Sequence, residues 1–168
     1  MVFLTGEIST FITSRYIMLH VITTLNDPLL ELIKDDPVRP EIPIAARVHE
    51  DAAEVFVLVL DGVPAAVTCV RYTHDVPGSV TELDDSQLAQ VAVFYTIWSY
   101  TPGAGRQLIT QAQAHIQTAK SEITRFVTLS PKTDMARIFH HKNGARTLRE
   151  NLDTVNYEYP AGATLRAV

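Results

Sequence analysis

Hydrophobic and polar positions change period several times along this chain, and each change marks an element. Residues 54–60, EVFVLVL, form a continuous apolar run of strand length. Asp61-Gly62 follows, the strongest short hairpin signal in the sequence, and residues 63–73, VPAAVTCVRYT, supply the returning strand. Residues 74–90 are a polar, acidic loop. Residues 91–98, VAVFYTIW, are apolar at both parities, which predicts a central strand covered on both faces. A helical period then takes over. In residues 104–120, Ala104, Leu108, Ala112, Ile116 and Ala119 make one stripe. Residues 125–130, RFVTLS, read as another strand, ended by Pro131. Residues 133–143, TDMARIFHHKN, read as a helix that starts near Thr133 or Asp134, and Gly144 fits a left-handed cap. Residues 145–151 and 154–159 are two final strands with apolar positions at Leu148, Leu152, Val155, Tyr157 and Tyr159. Their spacing of two puts Tyr157 and Tyr159 on one face.

The first third is less regular. Residues 27–36, DPLLELIKDD, predict a short helix with Asp27 as N-cap, Pro28 at the first position and a stripe of Leu29, Leu32 and Ile33. Residues 37–51 hold three prolines and read as an extended connection. Residues 1–25 show no clean period and suit a helix or a strand; Met18 is a candidate internal start. The order of a hairpin, a central strand, a helix, a strand, a helix and two strands describes an α/β plan with a mixed sheet. No linker divides it, so the expectation is one domain over residues 1–168.

Composition narrows the function. The 168 residues are 46% hydrophobic and 20% charged, ordinary for a globular protein. The net charge of -5 argues against nucleic acid or acidic membranes as partners. Cys69 is the only cysteine, which excludes an internal disulfide and suits a reducing, cytoplasmic setting. No apolar run approaches the roughly 20 residues that span a bilayer. The histidines are scattered without the spacing of a metal site, so no metal is expected.

The turn after the central strand carries candidate chemistry. In YTPGAGRQLI, Gly103 and Gly105 leave room for an anion, the first amides of the following helix point outward, and Arg106 stands at its mouth. A pyrophosphate would fit there, and so would a plain strand-to-helix turn. The Lys-Ser/Thr pair of a nucleotide-binding P-loop is missing, and Leu108 replaces the third glycine of a dinucleotide fingerprint.

These residues, in this order, resemble the GNAT superfamily of acyl-CoA-dependent acyltransferases. The superfamily's motif, Arg/Gln-x-x-Gly-x-Gly/Ala, is matched by YTPGAG with both glycines in place and Tyr100 in the Arg/Gln position. The likeness spans residues 54–159 and implies a mixed, mostly antiparallel sheet flanked by helices (α+β). A narrower likeness is carried by AVFYTIW, FVTLSP, FHHKNGA and VNYEY, which together resemble the catalytic domain of malonyl-CoA decarboxylase, itself a GNAT fold. That domain's catalytic histidine falls on His140, and the strand hydroxyl that pairs with it falls on Thr96. Two features depart from it: the turn after the strand is shorter, and the decarboxylase's leading helical domain has no counterpart here.

The resemblance implies acetyl-CoA or another acyl-CoA as cosubstrate. The backbone of Thr96, Ile97 and Trp98 would pair with the pantetheine arm, while Tyr100, Gly103, Ala104, Gly105 and Arg106 would hold the pyrophosphate. His140 would be the general acid, beside Thr96. Against this, His140 could simply cap a helix C-terminus, where the dipole favours it, and Thr96 is common in strands for propensity alone. Ser99 is a weaker substitute for Thr96. Tyr95 and Trp98 side chains read as core, Asn143 as a helix end and His141 as solvent-facing. Glu82, Asp84 and Asp85 read as a solvated acidic loop that could supply a base. Acyl transfer to an amine, whose identity stays open, is the superfamily's usual activity and ranks first. A decarboxylase-like reaction at Thr96 and His140 comes second. A non-catalytic protein that keeps the fold, within a homo-oligomer or larger assembly, comes third.

Overall fold

A computed structural model describes residues 16–85 and 87–162. Among the described residues, eight strands form one continuous sheet: β1 (Ile17–Ile22), β2 (Ala53–Leu60), β3 (Val63–Thr73), β4 (Val91–Ser99), β5 (Arg125–Thr128), β6 (Ser130–Pro131), β7 (Arg146–Glu150) and β8 (Thr154–Tyr159). The spatial order is β1-β2-β3-β4-β5-β8-β6, with β7 on the other side of β8. Every pairing is antiparallel except β4 with β5. The α+β class expected from the resemblance is the class observed.

Local chemistry explains most elements. Asp61 and Gly62 both take positive φ, 51° and 81°, which is what a two-residue turn matched to strand twist requires. Helix α1 (Ala104–Ala119) buries Ala104, Leu108, Ala112 and Ile116 against the sheet; Ala119 is exposed, because the last turn runs beyond it. Helix α2 (Asp134–Lys142) starts at Thr133, whose hydroxyl accepts the Ala136 amide at 3.2 Å, and stops at Gly144 with φ of 102°. Tyr157 and Tyr159 pack on one face of β8, as their spacing predicts. Leu152 is 89% exposed in the turn between β7 and β8, not in a strand.

The first third differs from expectation. Residues 1–15 lie outside the described residues. Residues 17–22 of the ambiguous segment are an edge strand on β2. The segment Pro28–Asp35 is helical but of the 3-10 kind, capped by Asp27 as expected. Three residues per turn put Leu30 and Ile33 on one face, so these are the buried positions and not the stripe of Leu29, Leu32 and Ile33 that a 3.6 period suggests.

The sheet carries a core on each face. On one, α1 covers Phe56, Leu58 and Phe94, and His140 of α2 stacks on Tyr157. On the other, the 3-10 segment and the proline-rich connection cover Val57, Val67, Val93 and Tyr95. A buried ion pair pins that cover to the sheet. Arg47, fully buried, binds Asp36 through Nη1 and the Arg39 and Ile42 carbonyls through Nη2 at 2.6 and 2.9 Å. Asp36 also accepts the Val38 and Arg39 amides and the Thr96 hydroxyl, at 2.8, 3.0 and 2.8 Å. Burial alone would raise the Asp36 pKa; the Arg39 amide, Arg47, Thr96 and the Val38 amide outweigh it and hold the carboxyl below its ordinary value.

Removing one partner of such a pair strands a buried charge. Arg47→Met is expected to cost about 3–5 kcal/mol of unfolding free energy in urea, and the double variant Arg47→Met/Asp36→Asn to recover part of it. A loss below about 1 kcal/mol in the single variant would show that this pair does not hold the cover in place.

Candidate functional site

The site begins with one extra residue in β4. Cys69 of β3 lies opposite Thr96 and Val70 opposite Phe94, so Tyr95 is a bulge. Phe94 and Ile97 therefore face α1, while Tyr95 and Thr96, side by side, face the 3-10 cover. Pairing with β5 covers only Val91 through Phe94. The last bond runs from the Leu129 amide to the Phe94 carbonyl at 3.1 Å, after which β5 leans toward β8 through β6. The parallel strands diverge, and a cavity of about 370 Å³ opens in the split. Phe94, Trp98, Leu129 and Phe139 line it alongside Thr96 and His140.

The split leaves one edge of β4 unpaired. The Tyr100 amide bonds the Ala65 carbonyl at 2.7 Å, so with period two Trp98 also directs its peptide groups at β3. Ile97 and Ser99 then direct theirs into the split. The edge leads to α1, whose N-cap, Gly103, has φ of 82° and no side chain to cap the helix.

His140 is buried, 3% exposed, in the last turn of α2. Its ring stacks on Tyr157 at 5.1 Å and meets Phe139 edge-on at 5.1 Å. Both nitrogens are engaged: Nδ1 with the Tyr159 hydroxyl at 2.8 Å and Nε2 with Ser130 Oγ at 3.2 Å. Ser130 donates to Thr128 Oγ1 at 2.8 Å, so it accepts from His140. The consistent assignment is a neutral imidazole protonated at Nε2, with Tyr159 donating to Nδ1. Burial, and then the neighbouring His141, push the His140 pKa down to about 4. His141 is exposed and bonds Thr147 Oγ1 at 2.8 Å. One ring of the adjacent pair thus faces the cavity and the other faces outward.

The structure brings some predicted site residues together and separates others. Thr96 and His140 both line the cavity, but the expected pairing is replaced: Thr96 bonds Asp36 on one face, and His140 bonds Ser130 on the other. The bulge is the cause, because it turns Thr96 away from α2. Ile97, Trp98 and Ser99 line the cavity. The Tyr100 side chain turns to the cover, donating to Asp35 at 2.8 Å and accepting from Trp98 Nε1 at 3.0 Å. Gly103 is open, whereas Gly105 faces inward: a Cβ there would sit 3.1 Å from the Phe139 ring. The lack of a side chain at Gly105 thus serves the close contact of α1 with α2. Ala104 is buried and Arg106 exposed at the helix start. Asp84 pairs with Arg71, and Asp85 accepts the His74 and Gln87 amides, at the far end of β4 from the cavity. The acidic loop therefore supplies no base to the split. Sequence reasoning missed Ser130 and Tyr159 as partners of His140, Thr128 behind Ser130, and Asp36 as the partner of Thr96; only the Thr-Leu-Ser-Pro likeness hinted at Ser130.

A buried neutral histidine makes stability pH-dependent. Its folded pKa lies below the unfolded value near 6.5, so between about pH 6.5 and 4 the unfolded chain binds more protons, and stability falls as pH falls. His140→Gln is expected to remove up to about 1.4 kcal/mol per pH unit of that slope. Urea titrations of both proteins across this window check it; identical slopes would mean His140 is not buried neutral.

No protein-family model and no curated protein matches the chain. Solved structures do. Malonyl-CoA decarboxylase from Rhodopseudomonas palustris aligns over 89% of this chain with a TM-score of 0.68 and 18% identity. The GNAT domain of S. lividans PAT aligns over 84% of this chain and 88% of its own, with a TM-score of 0.57 and 15% identity. Aminoglycoside N-acetyltransferase AAC(6')-Iy, solved with CoA, aligns over 83% and 93%, with a TM-score of 0.60 and 18% identity. This chain spans 35%, 57% and 62% of the length of the malonyl-CoA decarboxylases from Agrobacterium vitis, Rhodopseudomonas palustris and Cupriavidus metallidurans. The fold of this chain is the GNAT fold, shared by these acetyltransferases and decarboxylases.

Proposed function

We propose that this protein binds an acyl-CoA along the open edge of β4 and decarboxylates a malonyl-type acyl group in the split. The pantetheine arm carries two amides and lies on the Ile97 and Ser99 peptide groups as an added strand would. The pyrophosphate meets the uncapped start of α1, with Arg106 beside it. The thioester then lies between β4 and β5, where His140 lines the wall.

The observation that carries this reading is the setting of His140: it is buried under aromatic rings, with Nδ1 at the Tyr159 hydroxyl and Nε2 at Ser130. Burial pushes its pKa down, which favours the neutral ring at pH 7. A neutral imidazole is a poor acid toward a CoA thiolate and, at that pKa, a poor base toward an ammonium group. Both are tasks of acyl transfer. Toward a thioester enolate, a far stronger base than a thiolate, a neutral Nε2–H is a competent donor. In the decarboxylation the C–C bond to the carboxylate breaks, its electron pair enters the enolate, carbon dioxide leaves, and carbon takes one proton from His140, directly or through Ser130. Solvent then restores that proton. The apolar wall supports the same reading, since it strips water from the carboxylate.

Acyl transfer to an amine is the second reading. It is favoured by the likeness to acetyltransferases, one of them solved with CoA. Among the described residues, the cavity wall carries no acidic side chain to hold a cationic amine.

Incubation with malonyl-CoA, followed by mass, separates the readings. Acetyl-CoA is the expected product. His140→Gln should slow its formation about 10²–10⁴-fold while CoA affinity is kept. Intact malonyl-CoA, with acetyl groups passed from acetyl-CoA to an amine, would favour transfer. No thermal shift with malonyl-CoA, acetyl-CoA or CoA at millimolar concentration would overturn both and leave a non-catalytic protein.

A further inference from the structure

Arg39 joins the two lips of the split. Its Nε donates to the Tyr95 carbonyl at 3.4 Å and its Nη2 to the Leu129 carbonyl at 2.9 Å. Tyr95 and Leu129 both line the cavity, as do Pro37 and Val38 just before it in the chain. The guanidinium is half-buried and uses neutral acceptors. Among the described residues no carboxylate lies within 4 Å of it. The nearby Asp36 spends its oxygens on Arg47, Thr96 and two amides. Burial pulls the Arg39 pKa down, against the fields of Glu41 and Asp36. The chain therefore holds a partly desolvated cation without a close counter-charge directly behind the Tyr95 and Leu129 carbonyls that line an apolar cavity, an arrangement that costs free energy until an anion arrives.

We infer that Arg39 selects acyl-CoAs whose acyl end carries a carboxylate, by supplying the charge that this carboxylate meets in the split. The inference rests on the acyl-CoA reading above and adds the specificity of that site. Two main-chain carbonyls, of Tyr95 in β4 and of Leu129 just after β5, fix the guanidinium, and among the described residues its Nη1 has no hydrogen-bond partner. Decarboxylation moves the negative charge from the carboxylate to the thioester oxygen without changing its sign. One fixed cation thus faces an anion before and after the C–C bond breaks. An uncharged acyl group leaves the cation unanswered.

The test compares malonyl-CoA and acetyl-CoA binding by calorimetry, in the His140→Gln background so that the acyl group is not consumed. Arg39 should favour malonyl-CoA about tenfold or more. Arg39→Gln and Arg39→Met should bring the two ligands within about twofold while acetyl-CoA affinity holds, and Arg39→Lys should keep part of the preference. Acetyl-CoA binding by each variant serves as the control for folding. Equal affinities with Arg39 present, or an undiminished preference in both uncharged variants, would overturn the inference and leave the acyl-CoA reading standing. Binding of neither ligand, nor of free CoA, would overturn both.

Discussion

One extra residue in the central strand decides where the sheet of this molecule splits. Tyr95 has no partner of its own on β3, and the bulge it makes ends the pairing of β4 with β5 after four residues. A regular strand would have continued the ladder and closed the sheet. The bulge instead leaves peptide groups of β4 unpaired inside an otherwise continuous sheet, and buried peptide groups without partners are costly. The proposed acyl-CoA would supply partners for them, as an added strand would. The same bulge puts Tyr95 and Thr96 on one face, and so separates the two residues that sequence likeness would pair.

The two faces of the split are built with different physics. On the α1 and α2 side, Tyr159, His140, Ser130 and Thr128 make a chain of neutral hydrogen bonds under aromatic cover. Burial keeps the imidazole uncharged, and the hydroxyls on either side fix its tautomer. On the other side, Asp36, Arg47 and Arg39 concentrate charge beneath the 3-10 segment. Asp36 and Arg47 satisfy each other, so the uncompensated charge resides on Arg39. A neutral N–H of fixed form on one face and a fixed cation on the other suit the proposed reaction, which moves negative charge through the thioester. They suit poorly a reaction that must capture and deprotonate a cationic amine.

Much of the fold was legible because its signals are local. The Asp61-Gly62 turn, the both-faced run of β4, the α1 stripe and the Thr133 and Gly144 caps each follow from a few adjacent residues. His140 was legible through a run of short likenesses, and its inward orientation follows from where α2 ends. What escaped was long-range. The bulge at Tyr95 leaves no mark in an all-apolar strand, because both parities are hydrophobic there. The bonds of Thr96 with Asp36 and of Arg39 with Leu129 span 60 and 90 residues. The proline-rich connection that carries Arg39 and Arg47 reads as featureless until its side chains are seen threading the core. Gly105 is ambiguous for a related reason: a glycine at a helix start suits an anion and a neighbouring helix equally, and the Phe139 ring that packs against it lies 34 residues on.

The central claim is that the open edge of β4 receives the CoA thioester. Amide hydrogen exchange with and without saturating CoA tests it at single residues. The Ile97 and Ser99 amides should slow by about tenfold or more on binding, because a ligand supplies the partners that β5 does not. The Val93 amide, inside the paired part of β4, should change little. Binding of CoA with no added protection at Ile97 or Ser99 would place the ligand elsewhere and contradict the role given to the split.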